Sequence, residues 1–185
     1  MGRQLLNKRF HNYFHRTDQP ICLCFTLLDP SPQPITESMP PKRDELLCTA
    51  LNFVGQFAKL DVESVLSFMS PSCTLRSFPS SLGKPALQTK EESKADFQGL
   101  KDFFHNFQLR VKDGAEPVID EPARKVVLHI EGKGDSLVGR FETEYVYILQ
   151  MNEEGTMVED FFQFADSATR DAWGKKIEAH FSARN

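Results

Sequence analysis

The chain has 185 residues, of which 40% are hydrophobic and 26% charged, and its formal net charge is −4. These values are typical of one soluble globular domain with extensions, and the acidic balance argues against nucleic-acid binding. No apolar run approaches the roughly 20 residues that a membrane-spanning helix needs, so no membrane partner is expected. The chain has 16 Phe but only 3 Tyr and 1 Trp, which predicts a core or a cavity lined by phenyl rings.

Residues 1–41 differ in composition from the rest of the chain. They begin with the basic stretch "MGRQLLNKRFHNYFHR" and become Pro-rich in "DPSPQPITESMPPKR". This composition predicts a disordered extension in front of a domain at residues 42–183. Two other interpretations stay open: a mitochondrial targeting segment, and a true translation start at Met39.

The first half of the domain shows helical periodicity. The stretch "RDELLCTALNFVGQFAKL" carries one apolar stripe and predicts a first helix. A second helix is predicted in "DVESVLSFM", with Asp61 as its N-cap and Pro71 as its end. After a short strand "SCTLRSF" and a turn-rich loop, the spacing of apolar residues predicts a third helix over "TKEESKADFQGLKDFFHNF".

From Gln108 onward the period changes to two, which is typical of strands. The predicted strands are "QLRVKDGAEPVID", "RKVVLHIEGKG", "SLVGRFETEYVYILQM" and "TMVEDFFQFA", followed by a final helix in "DSATRDAWGKKIEAHF". The turn "NEEG" joins the last two strands as a hairpin. Clustered strands beside a separate helical group predict an α+β domain with an antiparallel sheet.

Several phrases, in order, resemble the SnoaL-like branch of the nuclear transport factor 2-like superfamily, as found in small fungal proteins. They are "LDVESVLSFMSPSCTL", "FPSSLGKP", "ARKVVLHIEGKGD", "ETEYVYILQMNEEG" and "FFQFADSA", within residues 43–182. The resemblance implies a curved antiparallel or mixed sheet that wraps as a cone around the N-terminal helices, a C-terminal helix and an internal pocket. The family includes polyketide cyclases, dehydratases, ketosteroid isomerases and non-catalytic binding proteins, so the fold leaves the reaction open.

Alignment of the "NEEG" turn with ketosteroid isomerase-like relatives implies that Tyr147 points into the pocket. Because side chains alternate along a strand, the same face should carry Phe141, Thr143, Tyr145 and Leu149. For the last strand two readings stay open. The preferred one places Glu159, Phe161, Gln163 and Ala165 inward, and the other places Asp160, Phe162, Phe164 and Asp166 there.

The resemblance also implies that the catalytic positions of ketosteroid isomerase-like proteins fall on Phe53, Phe78 and Tyr147. A phenyl ring neither abstracts a proton nor donates a hydrogen bond, so ketosteroid-type isomerisation through these positions is excluded. Phe53 and Phe78 are instead expected to line the pocket, together with Phe104 and Phe161.

Five polar side chains are candidates for ligand contact or chemistry. Tyr145 and Tyr147 would polarise a carbonyl or hydroxyl oxygen, although both could be ordinary strand aromatics. His129 would be the general base, unless it lies on the outer face with Glu131. Arg76 would hold an anionic or carbonyl oxygen, unless it is exposed at a strand end. Gln163, beside Thr143 on the same predicted wall, would orient a ligand without proton transfer.

No Cys, His or carboxylate cluster has metal-ligand spacing and no glycine-rich phosphate loop is present, so neither a metal nor a cofactor is predicted. The four cysteines, Cys22, Cys24, Cys48 and Cys73, are interpreted as free thiols in a reducing, cytoplasmic compartment. Three acids close to the last strand are interpreted as architecture. Asp166 would cap the final helix, Asp160 would lie on the outer face, and Glu159 would sit near the rim.

The leading interpretation is a cofactor-independent tailoring enzyme. It would cyclise, isomerise or dehydrate an apolar polyketide- or terpenoid-like intermediate in the pocket. The alternatives are a non-catalytic protein that binds an apolar small molecule, and a module whose exposed sheet face forms a homodimer.

Overall fold

The computed structural model describes residues 41–83 and 87–183, so the predictions for residues 1–40 lie outside the described residues. The helices are α1 (Arg43–Ala58), α2 (Val62–Ser67), α3 (Lys90–Phe103) and α4 (Ser167–Ser182). The strands are β1 (Met69–Phe78), β2 (Gln88–Thr89), β3 (Phe104–Val111), β4 (Val118–Asp120), β5 (Lys125–Ser136), β6 (Gly139–Met151) and β7 (Val158–Ala165). A 3-10 turn at Ser80–Leu82 follows β1. Among the described helices, none has the length and apolar character needed to cross a membrane.

The strands form one mixed sheet in the order β2-β1-β7-β6-β5-β3, with β4 paired to β5. All strand pairs are antiparallel except β1 and β7, which run parallel. The predicted α+β class, with a mixed sheet, N-terminal helices and a C-terminal helix, is confirmed. The sheet places β6, the longest strand, between β5 and β7.

Side-chain oxygens cap the first turns of α2, α3 and α4. Asp61 accepts a hydrogen bond from the backbone N–H of Ser64 at 3.2 Å, and Asp166 accepts from Ala168 at 3.0 Å. Both acids satisfy N–H groups that have no partner inside the helix, so both predicted caps are confirmed. At the start of α3, Thr89 and Glu92 form a reciprocal capping box.

The predicted end of the third helix is wrong. The apolar spacing extends the helix to Phe107, but α3 ends at Phe103 and Phe104 already has extended backbone angles. Residues 104–111 instead pair with β5, with an irregularity between His105 and Gln108. Strand pairing satisfies the backbone groups of this segment and overrides the helical spacing, which is a weak local preference.

One continuous hydrophobic core lies between the helices and one face of the sheet. Phe53 and Phe57 on α1 meet Phe161 on β7 with ring centroids 5.3 and 6.1 Å apart. Phe57 also meets Phe97 of α3 at 4.8 Å. These edge-to-face contacts join the two long N-terminal helices to the centre of the sheet.

A second cluster lies under α4. Trp173 packs on Phe104 and Phe141 with centroid separations of 5.2 and 4.6 Å, and the three residues form a buried group. The C-terminal helix therefore covers the part of β6 that α1 does not reach.

Phe161→Ala should lower the free energy of unfolding by about 3–5 kcal/mol, because it opens a cavity among fully buried rings. That is a large share of the roughly 5–15 kcal/mol by which domains are stable. Phe181→Ala is the matched control, because this ring is 44% exposed, and it should cost less than about 1 kcal/mol. Urea unfolding of both variants measures the difference, and equal losses would contradict this description of the core.

Candidate functional site

Alternate residues of β6 face the helices. Six of them are buried: Phe141, Thr143, Tyr145, Tyr147, Leu149 and Met151. We call the sheet face that carries these side chains the inner face, and the opposite one the outer face. The predicted orientation of β6 is confirmed, since Tyr147 and the four residues assigned to its face all lie inward.

Tyr145 and Tyr147 form a pair of phenols on the inner face. Their rings are 5.6 Å apart, and they are only 7% and 3% exposed. Burial raises the pKa of Tyr145 and raises that of Tyr147 well above the ordinary value for tyrosine. Both phenols are therefore protonated at neutral pH, and each can donate a hydrogen bond but cannot act as a base.

Gln163 lies directly opposite Tyr147 in the β6–β7 register, and opposite residues in an antiparallel pair share a face. The preferred orientation of the last strand is thus confirmed for Phe161, Gln163 and Ala165, which pair with Leu149, Tyr147 and Tyr145 in turn. Gln163 is half-buried. Its amide can orient a ligand beside the phenol of Tyr147.

Aromatic rings surround this polar patch. Phe161 stands edge-to-face with Tyr147 at 4.8 Å and with Phe53 at 5.3 Å, and both phenylalanines are fully buried. Phe161 thus lies beside Tyr147 and Phe53 packs against Phe161, while their role in lining a ligand pocket stays a prediction. Phe104 lies farther along, in the cluster under α4, and belongs to the core there.

Arg170 was missed by the sequence interpretation. It lies in the first half of α4, is half-buried, and its charge lowers the pKa of both Tyr145 and Tyr147, partly offsetting the effect of burial. A hydrogen-bond contact with Tyr145 adds to the effect there. One feature of the sequence could have identified it: Arg170 precedes Trp173 by three residues, and this spacing places both side chains on one face of the helix.

His129 does not lie with the two tyrosines, so the predicted placement of a base beside them is wrong. It pairs with Val146 across β5 and β6, which puts it on the outer face. Its Nε2 is 2.7 Å from a carboxylate oxygen of Glu144, and Lys112 Nζ donates to the other oxygen at 2.5 Å. The reason is strand alternation: Leu128 and Ile130, on either side of His129, take the buried positions.

Arg76 and Phe78 also lie on the outer face, contrary to the prediction that they enter the pocket. In the parallel β1–β7 register they pair with Phe162 and Phe164. The Arg76 guanidinium is 5.2 Å from the centroid of the Phe162 ring, and Phe78 stacks on Phe164 at 4.7 Å. The inward residues of β1 are instead the alternate ones, Cys73 and Leu75, which are buried.

Of the three acids near the last strand that were predicted to be structural, two are confirmed. Asp166 caps α4, and Asp160 pairs on the outer face, where it accepts a hydrogen bond from the Thr74 hydroxyl. Glu159 lies where the β6–β7 register shifts, so strand alternation does not assign it to either face. Within residues 41–83 and 87–183, no group of three or more His, Cys, Asp or Glu residues could hold a metal ion.

Comparison with known proteins identifies close relatives, although no family model matches the chain. The austinoid biosynthesis clusters protein H of Penicillium brasilianum is 93% identical over 147 residues, which are 80% of this chain and all of the relative. The solved structure of AusH from Aspergillus nidulans is 98% identical, covers 79% of this chain and 100% of its own, and superimposes with a TM-score of 0.70.

A third similar protein is the BvnE pinacolase from Penicillium brevicompactum. Its crystal structure is 30% identical in sequence, with a TM-score of 0.72, over 75% of this chain and 97% of its own. High identity over the full length of a relative establishes common family membership. The chain therefore belongs to the family of the austinoid biosynthesis cluster proteins H, which has the SnoaL-like fold of the nuclear transport factor 2-like superfamily.

Proposed function

We propose that the protein is a cofactor-independent tailoring enzyme of fungal secondary metabolism. It would act on an apolar polyketide- or terpenoid-like intermediate at the inner face of the sheet. The observation that carries this proposal is the pair of buried, protonated phenols, Tyr145 and Tyr147, within an aromatic surrounding. The names of its relatives, which refer to austinoid biosynthesis clusters, support the metabolic context.

In the proposed mechanism, Tyr147 donates a hydrogen bond to a carbonyl or hydroxyl oxygen of the substrate. Such a donor, placed among Phe53 and Phe161, acts where water is excluded and its electrostatic effect is strong. Tyr145, two residues away on β6, stabilises the negative charge that develops on the same substrate oxygen. Gln163, opposite Tyr147, fixes the orientation of the substrate.

The nature of these groups favours one kind of reaction. Two phenols with raised pKa values supply hydrogen-bond donors, whereas His129, the one predicted base, lies on the outer face. Reactions that begin with polarisation of an oxygen by hydrogen bonds therefore fit better than reactions that begin with a strong base. A rearrangement is of this kind, and the name pinacolase borne by the similar protein BvnE supports it.

Tyr147→Phe should lower turnover by about 10²–10³-fold, the usual effect of removing one donor from an oxyanion site. The measurement is conversion of a panel of austinoid pathway intermediates, followed by liquid chromatography and mass spectrometry. Circular dichroism should show an unchanged fold, because the substitution removes a single hydroxyl.

The control for this experiment is His129→Gln on the outer face, which should keep wild-type turnover. Full activity in Tyr147→Phe together with loss in His129→Gln would refute the assignment of the site. Saturable binding without any conversion by the wild type would instead favour a non-catalytic binding protein.

We also propose that the protein forms a homodimer through the outer face of β1, β7 and β6. This part of the outer face is mostly apolar: beside the Arg76 guanidinium it is formed by Phe78, Val146, Ile148, Phe162 and Phe164. Phe164 and Val146 are 43% and 38% exposed. Contiguous apolar surface of this kind is typical of protein–protein contacts, and a second copy of the chain would cover it.

Phe164→Asp should convert the dimer to a monomer, because it places a charge in the apolar contact. Sedimentation velocity over a concentration series measures the oligomeric state. Leu137→Asp is the matched control, since Leu137 is 46% exposed in the β5–β6 turn and should leave the dimer intact. A wild type that stays monomeric at every concentration would refute the dimer and leave the catalytic proposal standing.

A further inference from the structure

Helix α4 starts beside Tyr145 and runs over β6. The backbone N–H of Asp166, its N-cap, donates to the carbonyl oxygen of Glu144 at 3.1 Å, which ties the start of the helix to the residue before Tyr145. Three residues after Arg170, the ring of Trp173 lies 4.6 Å from that of Phe141. Arg170 and Trp173 therefore face the stretch of β6 between Phe141 and Tyr145.

Two polar groups in this region are buried without a partner. Thr143 is 6% exposed, and within the described part of the chain its Oγ1 has no hydrogen-bond partner. The same holds for the indole Nε1 of Trp173. Burial of a polar group without a partner is unfavourable, so these two groups on facing elements are available to hydrogen-bond acceptor atoms of a ligand.

Arg170 adds a positive charge to these donors. No described carboxylate forms an ion pair with it. Glu142 and Glu144, its neighbours on β6, project to the outer face, and the carboxylate of Asp166 accepts from the backbone of its own helix. The region therefore has more hydrogen-bond donors and positive charge than its own acceptors and carboxylates pair with. A purely apolar core would contain neither unpaired donors nor an unpaired charge.

We propose that Arg170, Tyr145, Thr143 and Trp173 form a binding site for a carboxylate carried by an otherwise apolar substrate. The planar guanidinium matches the two oxygens of a carboxylate, and the hydroxyl, phenol and indole N–H complete its hydrogen bonds. The inference rests on the proposed function, because it assumes that substrate binds at the inner face, and it adds the chemical class of the substrate.

The test compares two probes of equal shape, 1-naphthoate and 1-naphthamide, by NMR titration of the full chain. The wild type should bind the naphthoate at least about tenfold more tightly, as expected for a desolvated charge pair. Arg170→Gln should remove that preference and leave naphthamide binding within about twofold of wild type. Arg140→Gln removes the same charge from an exposed ion pair with Glu142, and it should retain the preference.

Thr143→Val provides a second test that does not depend on the folding of the Arg170 variant. It replaces an unpartnered hydroxyl by a methyl group, so the melting temperature should stay equal or rise while naphthoate affinity falls several-fold. Equal affinity of the wild type for both probes, failure of both to bind, or equal losses in Arg170→Gln and Arg140→Gln would each overturn the proposal.

Probe binding involves no turnover, so this test separates the two proposals. A preference for naphthoate that depends on Arg170, in a protein without catalytic activity, would retain the carboxylate site and refute the enzyme. Turnover that depends on Tyr147, without a preference for naphthoate, would retain the enzyme and refute the carboxylate site.

Discussion

The register of β6 between β5 and β7 is the constraint on which the rest of the structure depends. Its pairing with β5 runs without interruption from Lys125↔Gln150 to Ser136↔Gly139, so every side chain of β6 has a defined face. A slip of one residue would exchange the two faces, burying Glu144 and exposing Tyr145. The β6–β7 pairing absorbs one extra residue near Glu159, which lets both Val158 and Phe161 stay buried.

This register separates two kinds of polar group. The outer face carries charged groups such as Glu144 and Lys112, and hydrogen bonds from Lys112 and His129 lower the pKa of Glu144. Exposed pairs of this kind cost little because water solvates them. The inner face carries the neutral donors Tyr145, Tyr147 and Gln163, and the charged Arg170 approaches it from α4. Burial of a neutral phenol costs far less free energy than burial of an ion, so the core can contain Tyr145 and Tyr147.

The sequence allowed most of the architecture to be predicted, because strong local signals agreed with it. The alternation along β6 assigned Tyr147 correctly, and Asp166 was recognised as a cap from its position before a helical repeat. The orientation of β7 stayed open because a bulge changes the parity. Arg76 was misplaced because its strand pairs in parallel with β7, a long-range contact without a local signature. Arg170 was missed for the same kind of reason: a helical repeat does not reveal which strand the helix covers.

The uneven use of Phe and Tyr follows from the same arrangement. Both tyrosines within the described residues lie side by side on β6, while Phe53 stands where the family resemblance implies a tyrosine on the first helix. The phenol hydroxyls of the inner face therefore come from β6, and Phe53 adds none from α1. Under α4, Arg170 and Thr143 border the rings of Phe104, Phe141 and Trp173, whereas Tyr147 lies by Phe161, which in turn contacts Phe53 on α1. A ligand whose carboxylate lay beside Arg170 would place its apolar part towards Phe53 and Phe161, because the opposite orientation would leave the carboxylate without the guanidinium.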